Sequence, residues 1–174
     1  GDLVTCTDWS HIWLNEGFAT WMANKPLAAW RPEWKVELDD ADDTQTALSL
    51  DALKSTRAIR TKVDTPEEIN EVFDPIAYEK TASVLRMLES YAGPEDFRKA
   101  VASYLSKYSY SNAAGEDFWN EVTRVTKKPV DRIMRSLGEQ PAAPAPTGAP
   151  TVAGRPTGRR PPPGRLPRPP AARP

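Results

Sequence analysis

The apolar residues of this chain recur mostly at helical spacing, three or four positions apart. This spacing predicts a buried helix over residues 12–29. Its apolar positions are Trp13, Leu14, Phe18, Trp21 and Met22. Pro26 and Pro32 are expected to interrupt the pattern because proline removes a backbone donor. A more polar helical segment is predicted to follow over residues 33–55.

Five more helices are predicted further along the chain. The motif Thr65-Pro66-Glu67-Glu68 combines a capping hydroxyl, a proline and a glutamate three residues after the cap, and so predicts a short helix. Another helix is predicted over residues 76–91, and Gly93-Pro94 should end it and start the next. The last two are expected around residues 118–125 and after Pro129. No strand pair is predicted, so the body is expected to be an antiparallel array of helices.

The C-terminal segment differs in composition from the rest of the chain. Residues 141–174 hold 12 of the 18 prolines and six arginines, with no acidic and no aromatic residue. Val152 and Leu166 are its only large aliphatic residues, so burial could not offset the entropy of ordering this segment. We therefore predict a helical body over residues 1–140 and a disordered tail over 141–174. Two alternatives stay open for the tail, a polyproline ligand for a partner's groove and a frameshift product of a GC-rich gene.

The charge of the body restricts its function. Residues 1–140 carry 17 Lys and Arg against 24 Asp and Glu, a net charge of −7, which disfavours nucleic-acid binding. The single cysteine, Cys6, and the single histidine, His11, exclude an internal disulfide and a self-contained Cys/His zinc site. Cys6 is expected to be a small buried residue, and His11 a partly exposed one. No apolar run approaches the roughly 20 residues of a transmembrane helix, and the sequence does not indicate a compartment.

One carboxylate falls inside the predicted apolar helix of residues 12–29. Glu16 lies in the segment Trp13-Leu14-Asn15-Glu16-Gly17-Phe18-Ala19. A buried, unpaired carboxylate must protonate, pair with a cation or bind a metal. From the residues alone, three interpretations of Glu16 stay open: a buried ion pair, a metal ligand, or simple exposure.

This segment, together with Gly1-Asp2-Leu3-Val4-Thr5 and Trp9, resembles the zinc aminopeptidases of the membrane alanyl aminopeptidase (gluzincin) family. In that family an H-E-x-x-H helix supplies two histidine ligands and a general-base glutamate, and a later W-L-N-E-G-F-A segment supplies the third ligand. Glu16 occupies the place of that third ligand. The family spacing puts the H-E-x-x-H helix upstream of Gly1, so the sequence is expected to be a family member cut just downstream of that helix.

A second segment, residues 73–88, supports the resemblance. It resembles the family segment whose tyrosine donates a hydrogen bond to the oxyanion of the reaction, and Tyr78 is the matching residue. The family pattern more often has glycine where Thr81 stands, so a narrower approach beside the cleft is expected there. The resemblance continues through Asp117-Phe118-Trp119 and covers about residues 1–138.

The resemblance implies a mainly α fold, the helical C-terminal subdomain of a thermolysin-like metallopeptidase catalytic domain. It implies an enzyme that removes N-terminal amino acids from peptides, with one zinc per complete catalytic domain, Glu16 as a zinc ligand and Tyr78 as the oxyanion stabiliser. The chain alone is expected to be inactive and to retain no zinc, because two ligands and the general base belong to a missing upstream half. The alternative is a non-catalytic helical module that binds partners through its Pro/Arg-rich tail.

Overall fold

The computed structural model describes residues 1–138, and they form a mainly helical body, as predicted. Its α-helices are α1 Ile12–Trp30, α2 Val36–Asp51, α3 Pro66–Glu71, α4 Thr81–Ala92, α5 Pro94–Lys107, α6 Gly115–Thr126 and α7 Val130–Gly138. A π-helix, Ile76–Lys80, leads directly into α4. None of these helices is both long and apolar enough to cross a lipid bilayer. The predictions for residues 141–174 lie outside the described residues.

The capping signals in the sequence act as predicted. Thr65 accepts a hydrogen bond from the backbone of Glu68 at 3.3 Å, and the Glu68 carboxylate accepts one from the backbone of Thr65 at 3.0 Å. These reciprocal bonds form the capping box that begins α3. Gly93 has a φ of +96°, a conformation that favours glycine, and it separates α4 from α5.

The helix predicted over residues 12–29 is confirmed, and the interruption expected at Pro26 does not occur. Helix α1 continues through Pro26 to Trp30. Proline has no backbone N–H, so the carbonyl of Met22 lacks its usual helical hydrogen bond. Met22 and Pro26 are both exposed, and water can replace that bond on this side of the helix. The polar segment that follows is shorter than predicted, since α2 begins only at Val36, after a short 3₁₀ turn.

The expectation that the chain has no strand pair is also wrong. Strands β1, Val4–Cys6, and β2, Ser111–Ala113, pair in parallel with Val4 opposite Ser111. Each strand has three residues, too few for an alternating pattern to show in the sequence. The pair fixes the start of the chain beside the connection between α5 and α6. Cys6, at the end of β1, is only partly buried, and burial raises the pKa of its thiol.

An aromatic core holds α1 against the later helices. Its rings come from α1, α5 and α6 and include Trp13, Phe18, Trp21, Phe97, Tyr104, Phe118 and Trp119. Trp13 and Trp119 stack with centroids 5.4 Å apart, while Phe18 meets Phe118 edge to face at 5.0 Å. These contacts anchor the helix that carries Glu16 on both sides of that residue.

Candidate active site

Glu16 lies in the second turn of α1 and is only partly buried. Within residues 1–138, no lysine, arginine or histidine lies at ion-pair distance from its carboxylate. Of the three interpretations open from the sequence, the ion pair is therefore not formed among these residues. Glu16 remains a carboxylate without a cation on an apolar helix.

The structure brings the two candidate site residues together. Tyr78, in the π-helix Ile76–Lys80, lies close enough to Glu16 for this carboxylate to act on its phenol, although the two residues are far apart in sequence. Burial raises the pKa of the Tyr78 phenol above its usual value, and interaction with Glu16 raises it further. Tyr78 therefore stays protonated at neutral pH and can donate a hydrogen bond. Single-turn π-helices occur frequently at functional sites.

A close contact between Gly17 and Thr81 holds α1 against the end of the π-helix. A Cβ atom added to Gly17 would lie 2.1 Å from Cγ2 of Thr81 and 2.6 Å from its Cβ. Thr81 is buried, and its hydroxyl donates to the Ile76 carbonyl at 3.1 Å. Because Gly17 follows Glu16 directly and Thr81 lies three residues after Tyr78, this contact fixes the spacing of the two site residues.

The two ends of the π-helix are held by charged side chains that the sequence analysis did not single out. At the first end, the Asp74 carboxylate accepts hydrogen bonds from the backbone of Ile76 and Ala77, both at 3.0 Å. At the other end, Lys80 pairs with Asp51 of α2 at 2.7 Å, and both side chains are largely buried. The dipeptide Asp74-Pro75 before a helix is a recognisable start signal that could have identified the first of these.

One carboxyl oxygen in the π-helix has no hydrogen-bond partner within the described residues. It is Oε2 of Glu79, the residue after Tyr78. Burial is the main factor that raises the pKa of this carboxyl, and the nearby carboxylates of Asp43 and Asp74 raise it further.

His11 is neither the partly exposed residue expected nor placed to bind a metal. It is buried, and its Nδ1 accepts a hydrogen bond from the backbone N–H of Gly115 at 3.1 Å. Burial lowers the pKa of this imidazole, and the Arg60 guanidinium lowers it further. The sequence could not show this, because the β1–β2 pairing is what brings His11 to the start of α6. Within residues 1–138, no three His, Cys, Asp or Glu side chains are grouped so that they could hold a metal ion.

The side of α1 that carries Glu16 also exposes apolar residues. Four of them follow helical spacing and are exposed: Ala19, Met22, Ala23 and Pro26. Met22 exposes 47% of its surface, although the sequence predicted it as a core position. The candidate site therefore lies at the edge of an apolar, open helix face.

Known proteins resemble the region that contains this site. Residues 1–137, which include Glu16 and Tyr78, match the family model described as Peptidase family M1 domain. Aminopeptidase M1-D of Oryza sativa subsp. japonica is 44% identical over 144 residues, which are 83% of this chain and 16% of the rice protein. Tricorn protease-interacting factor F2 of Thermoplasma volcanium is 46% identical over 137 residues, or 78% of this chain and 18% of that protein. Probable aminopeptidase 2 of Sulfurisphaera tokodaii is 47% identical over 136 residues, or 78% of this chain and 17% of that protein.

The chain spans about a sixth of the length of these three relatives. The family model nevertheless matches most of the chain, including the two segments that carry the resemblance found in the sequence. The chain therefore belongs to peptidase family M1.

Proposed function

We propose that this chain is part of the catalytic domain of a zinc aminopeptidase, in which Glu16 is a zinc ligand and Tyr78 stabilises the transition state. The observation that carries the proposal is the close packing of Gly17 against Thr81, which brings Tyr78 near Glu16, a carboxylate that forms no ion pair within the described residues. Peptides would be the substrates, and removal of the N-terminal amino acid would be the reaction. The names of the rice and Sulfurisphaera relatives, both aminopeptidases, support this reaction class.

The residues present fit one ligand of a catalytic zinc. Such sites use three protein ligands and leave one position for water or substrate. Glu16 offers an oxygen ligand without a competing cation. In buried His11, Nδ1 accepts from the Gly115 N–H, and Nε2 lies 3.8 Å from Asp8 and 3.9 Å from Glu116. When bound, zinc would act as a Lewis acid toward the scissile carbonyl and the attacking water. The remaining ligands and the general base would come from an H-E-x-x-H segment, which residues 1–174 do not contain.

Tyr78 would act as a neutral hydrogen-bond donor. A tyrosine phenol, with an ordinary pKa of about 10, carries its proton at neutral pH, and burial raises the pKa of Tyr78 further. A donor held in a fixed position stabilises the negative charge that develops on the scissile carbonyl oxygen, and removal of one such donor typically lowers kcat by about 10²–10³-fold. The π-helix supplies the fixed position, since both of its ends are tied down by charged side chains.

The role of Tyr78 is tested in a longer polypeptide that carries the family's H-E-x-x-H segment upstream of Gly1. We expect Tyr78→Phe to lower kcat on aminoacyl-anilide substrates by about 10²-fold while the zinc content stays unchanged. Tyr110→Phe is the matched control, because Tyr110 is 91% exposed. An undiminished kcat for Tyr78→Phe would remove the proposed role.

The role of Glu16 is tested by elemental analysis after dialysis. In the longer polypeptide, Glu16→Ala should lose zinc, whereas Glu95→Ala on the surface of α5 should retain it. The 174-residue polypeptide should bind less than one zinc per chain and should not hydrolyse these substrates, because one carboxylate does not complete the ligand set. One tightly held zinc in the 174-residue polypeptide would contradict the proposed ligand set.

A further inference from the structure

The start of the π-helix is capped by a single side chain. Oδ1 of Asp74 accepts from the backbone N–H groups of Ile76 and Ala77, which are the first donors of the segment. The backbone N–H of Tyr78 itself donates to the Asp74 carbonyl at 3.2 Å. Asp74 therefore contacts the three residues that lead up to and include the proposed donor. A change in the position of Asp74 would move all three.

Arg57, on the loop after α2, holds this cap in place. Its Nη2 donates to Oδ1 of Asp74 at 2.6 Å and its Nε donates to Oδ2 at 3.0 Å, a bidentate pair. The guanidinium also donates to three backbone carbonyls, those of Ala58, Ile59 and Val72, at 2.9–3.1 Å. The pair is partly buried, with 21% of the Arg57 side chain and 30% of the Asp74 side chain exposed.

We propose that Arg57 and Asp74 are positioning residues that set the π-helix so that the Tyr78 hydroxyl lies beside Glu16. The catalytic meaning of this positioning rests on the proposed function, but the positioning itself does not require zinc or substrate. Neither residue lies against the Glu16 carboxylate, and their contacts are to the backbone and to each other.

The chemistry of the pair explains why arginine occupies this position. A guanidinium is a planar fork that can bind both carboxylate oxygens and still donate to carbonyls in its plane. Lysine keeps the charge but offers a compact ammonium that cannot reproduce this set of donors. Arg57→Lys therefore removes the geometry while retaining the charge, and it separates positioning from simple electrostatic attraction.

The test uses the 174-residue chain with ring-¹³C-labelled tyrosine, observed by NMR at a constant neutral pH. The five tyrosine signals are assigned by Tyr→Phe substitutions. In the parent, Glu16→Gln should shift the Tyr78 signal, because a charge beside its hydroxyl is removed. In the Arg57→Lys background, the Tyr78 signal should be displaced and its response to Glu16→Gln should be lost. The signal of core residue Tyr104 should keep its position. Arg98→Lys, at an exposed position of α5, is the matched control and should leave the Tyr78 signal and its response unchanged.

Asp74→Asn provides the second variant. The Asn oxygen, in the place of Oδ1, can still accept from the Ile76 and Ala77 backbone and from Nη2 of Arg57. An amide nitrogen in the place of Oδ2 cannot accept from Nε of Arg57, so the charged bidentate pair is lost. Asp74→Asn should therefore cause the same loss of the Tyr78 response to Glu16→Gln. If Arg57→Lys also displaces the Tyr104 signal, the result for Asp74→Asn decides the test.

Failure of the positioning role and failure of the proposed function give different results. A parent-sized response of Tyr78 to Glu16→Gln in both Arg57→Lys and Asp74→Asn, with Tyr78 undisplaced, would overturn the positioning role. A parent chain in which Glu16→Gln leaves the Tyr78 signal unmoved would instead remove the observation behind the proposed function. In that case, displacement of the Tyr78 signal by Arg57→Lys would still support positioning of Tyr78 by the pair, and only its placement beside Glu16 would be refuted.

Discussion

The contact between Gly17 and Thr81 makes a strong prediction about stability. Replacing Gly17 by alanine puts a methyl group 2.1 Å from Cγ2 of Thr81, well inside van der Waals contact. Overpacking in a close-packed interior costs about 1–3 kcal/mol, and this distance argues for the upper end. Alanine inside a helix recovers about 1 kcal/mol relative to glycine. We therefore expect Gly17→Ala to lower the free energy of unfolding by about 2 kcal/mol.

The same geometry predicts which second substitution restores stability. Thr81→Ala removes Cγ2 but leaves Cβ of residue 81 at 2.6 Å from the new methyl group. Thr81→Gly removes both close atoms, and the next atom of residue 81, its backbone carbonyl carbon, lies at 3.4 Å. Thr81→Gly alone should cost about 2 kcal/mol through the lost methyl burial, the lost hydrogen bond and the added backbone freedom. The double variant Gly17→Ala/Thr81→Gly should nevertheless lose less stability than the sum of the two single costs, with a coupling energy of about 2–3 kcal/mol.

Urea unfolding followed by tryptophan fluorescence measures this cycle. The six tryptophans of the chain report on the core that contains α1. Gly17→Ala/Thr81→Ala is the internal comparison, and it should show a smaller coupling than the glycine pair, because one close contact remains. If the costs of Gly17→Ala and Thr81→Gly add to within about 0.5 kcal/mol, the two residues do not touch as described and the argument fails.

Two further predictions concern pH. Because the folded-state pKa of His11 is lowered, mainly by burial, the stability of the parent should fall as the pH drops below about 7 through the ordinary histidine range. His11→Asn offers an acceptor to the Gly115 N–H but does not titrate, so its urea midpoint should change less over that range, and an equal change would refute the assignment. Hydrogen bonds from Arg124 and then Ser103 lower the pKa of Glu121 to about 2, so its stabilisation is present above the usual carboxyl pKa and is lost as the pH falls toward 2. Glu121→Gln should cost about 2 kcal/mol at neutral pH and little at the acid end, as thermal unfolding at both pH values would show.

Local sequence signals were sufficient for most of the helices. Capping and termination are short-range effects, so the box at Thr65 and the glycine at Gly93 are readable from a few neighbouring residues. The motif around Glu16 and the one around Tyr78 also identified the family, since each is a contiguous run of residues. The sequence did not show that the helix around Tyr78 begins with a π-helix.

Tertiary structure decided how these residues are combined. Whether Glu16 has a cation nearby, and whether Tyr78 faces it, depends on α1 packing against the π-helix at Gly17 and Thr81, residues 64 positions apart. Pairing of two three-residue strands decided that His11 is buried, and the sequence had suggested exposure. No local sequence pattern records such contacts, because the residues that make them are far apart in the chain. Periodicity and capping act within one or two helical turns, whereas the geometry of the candidate site is set by close packing between elements far apart in the chain.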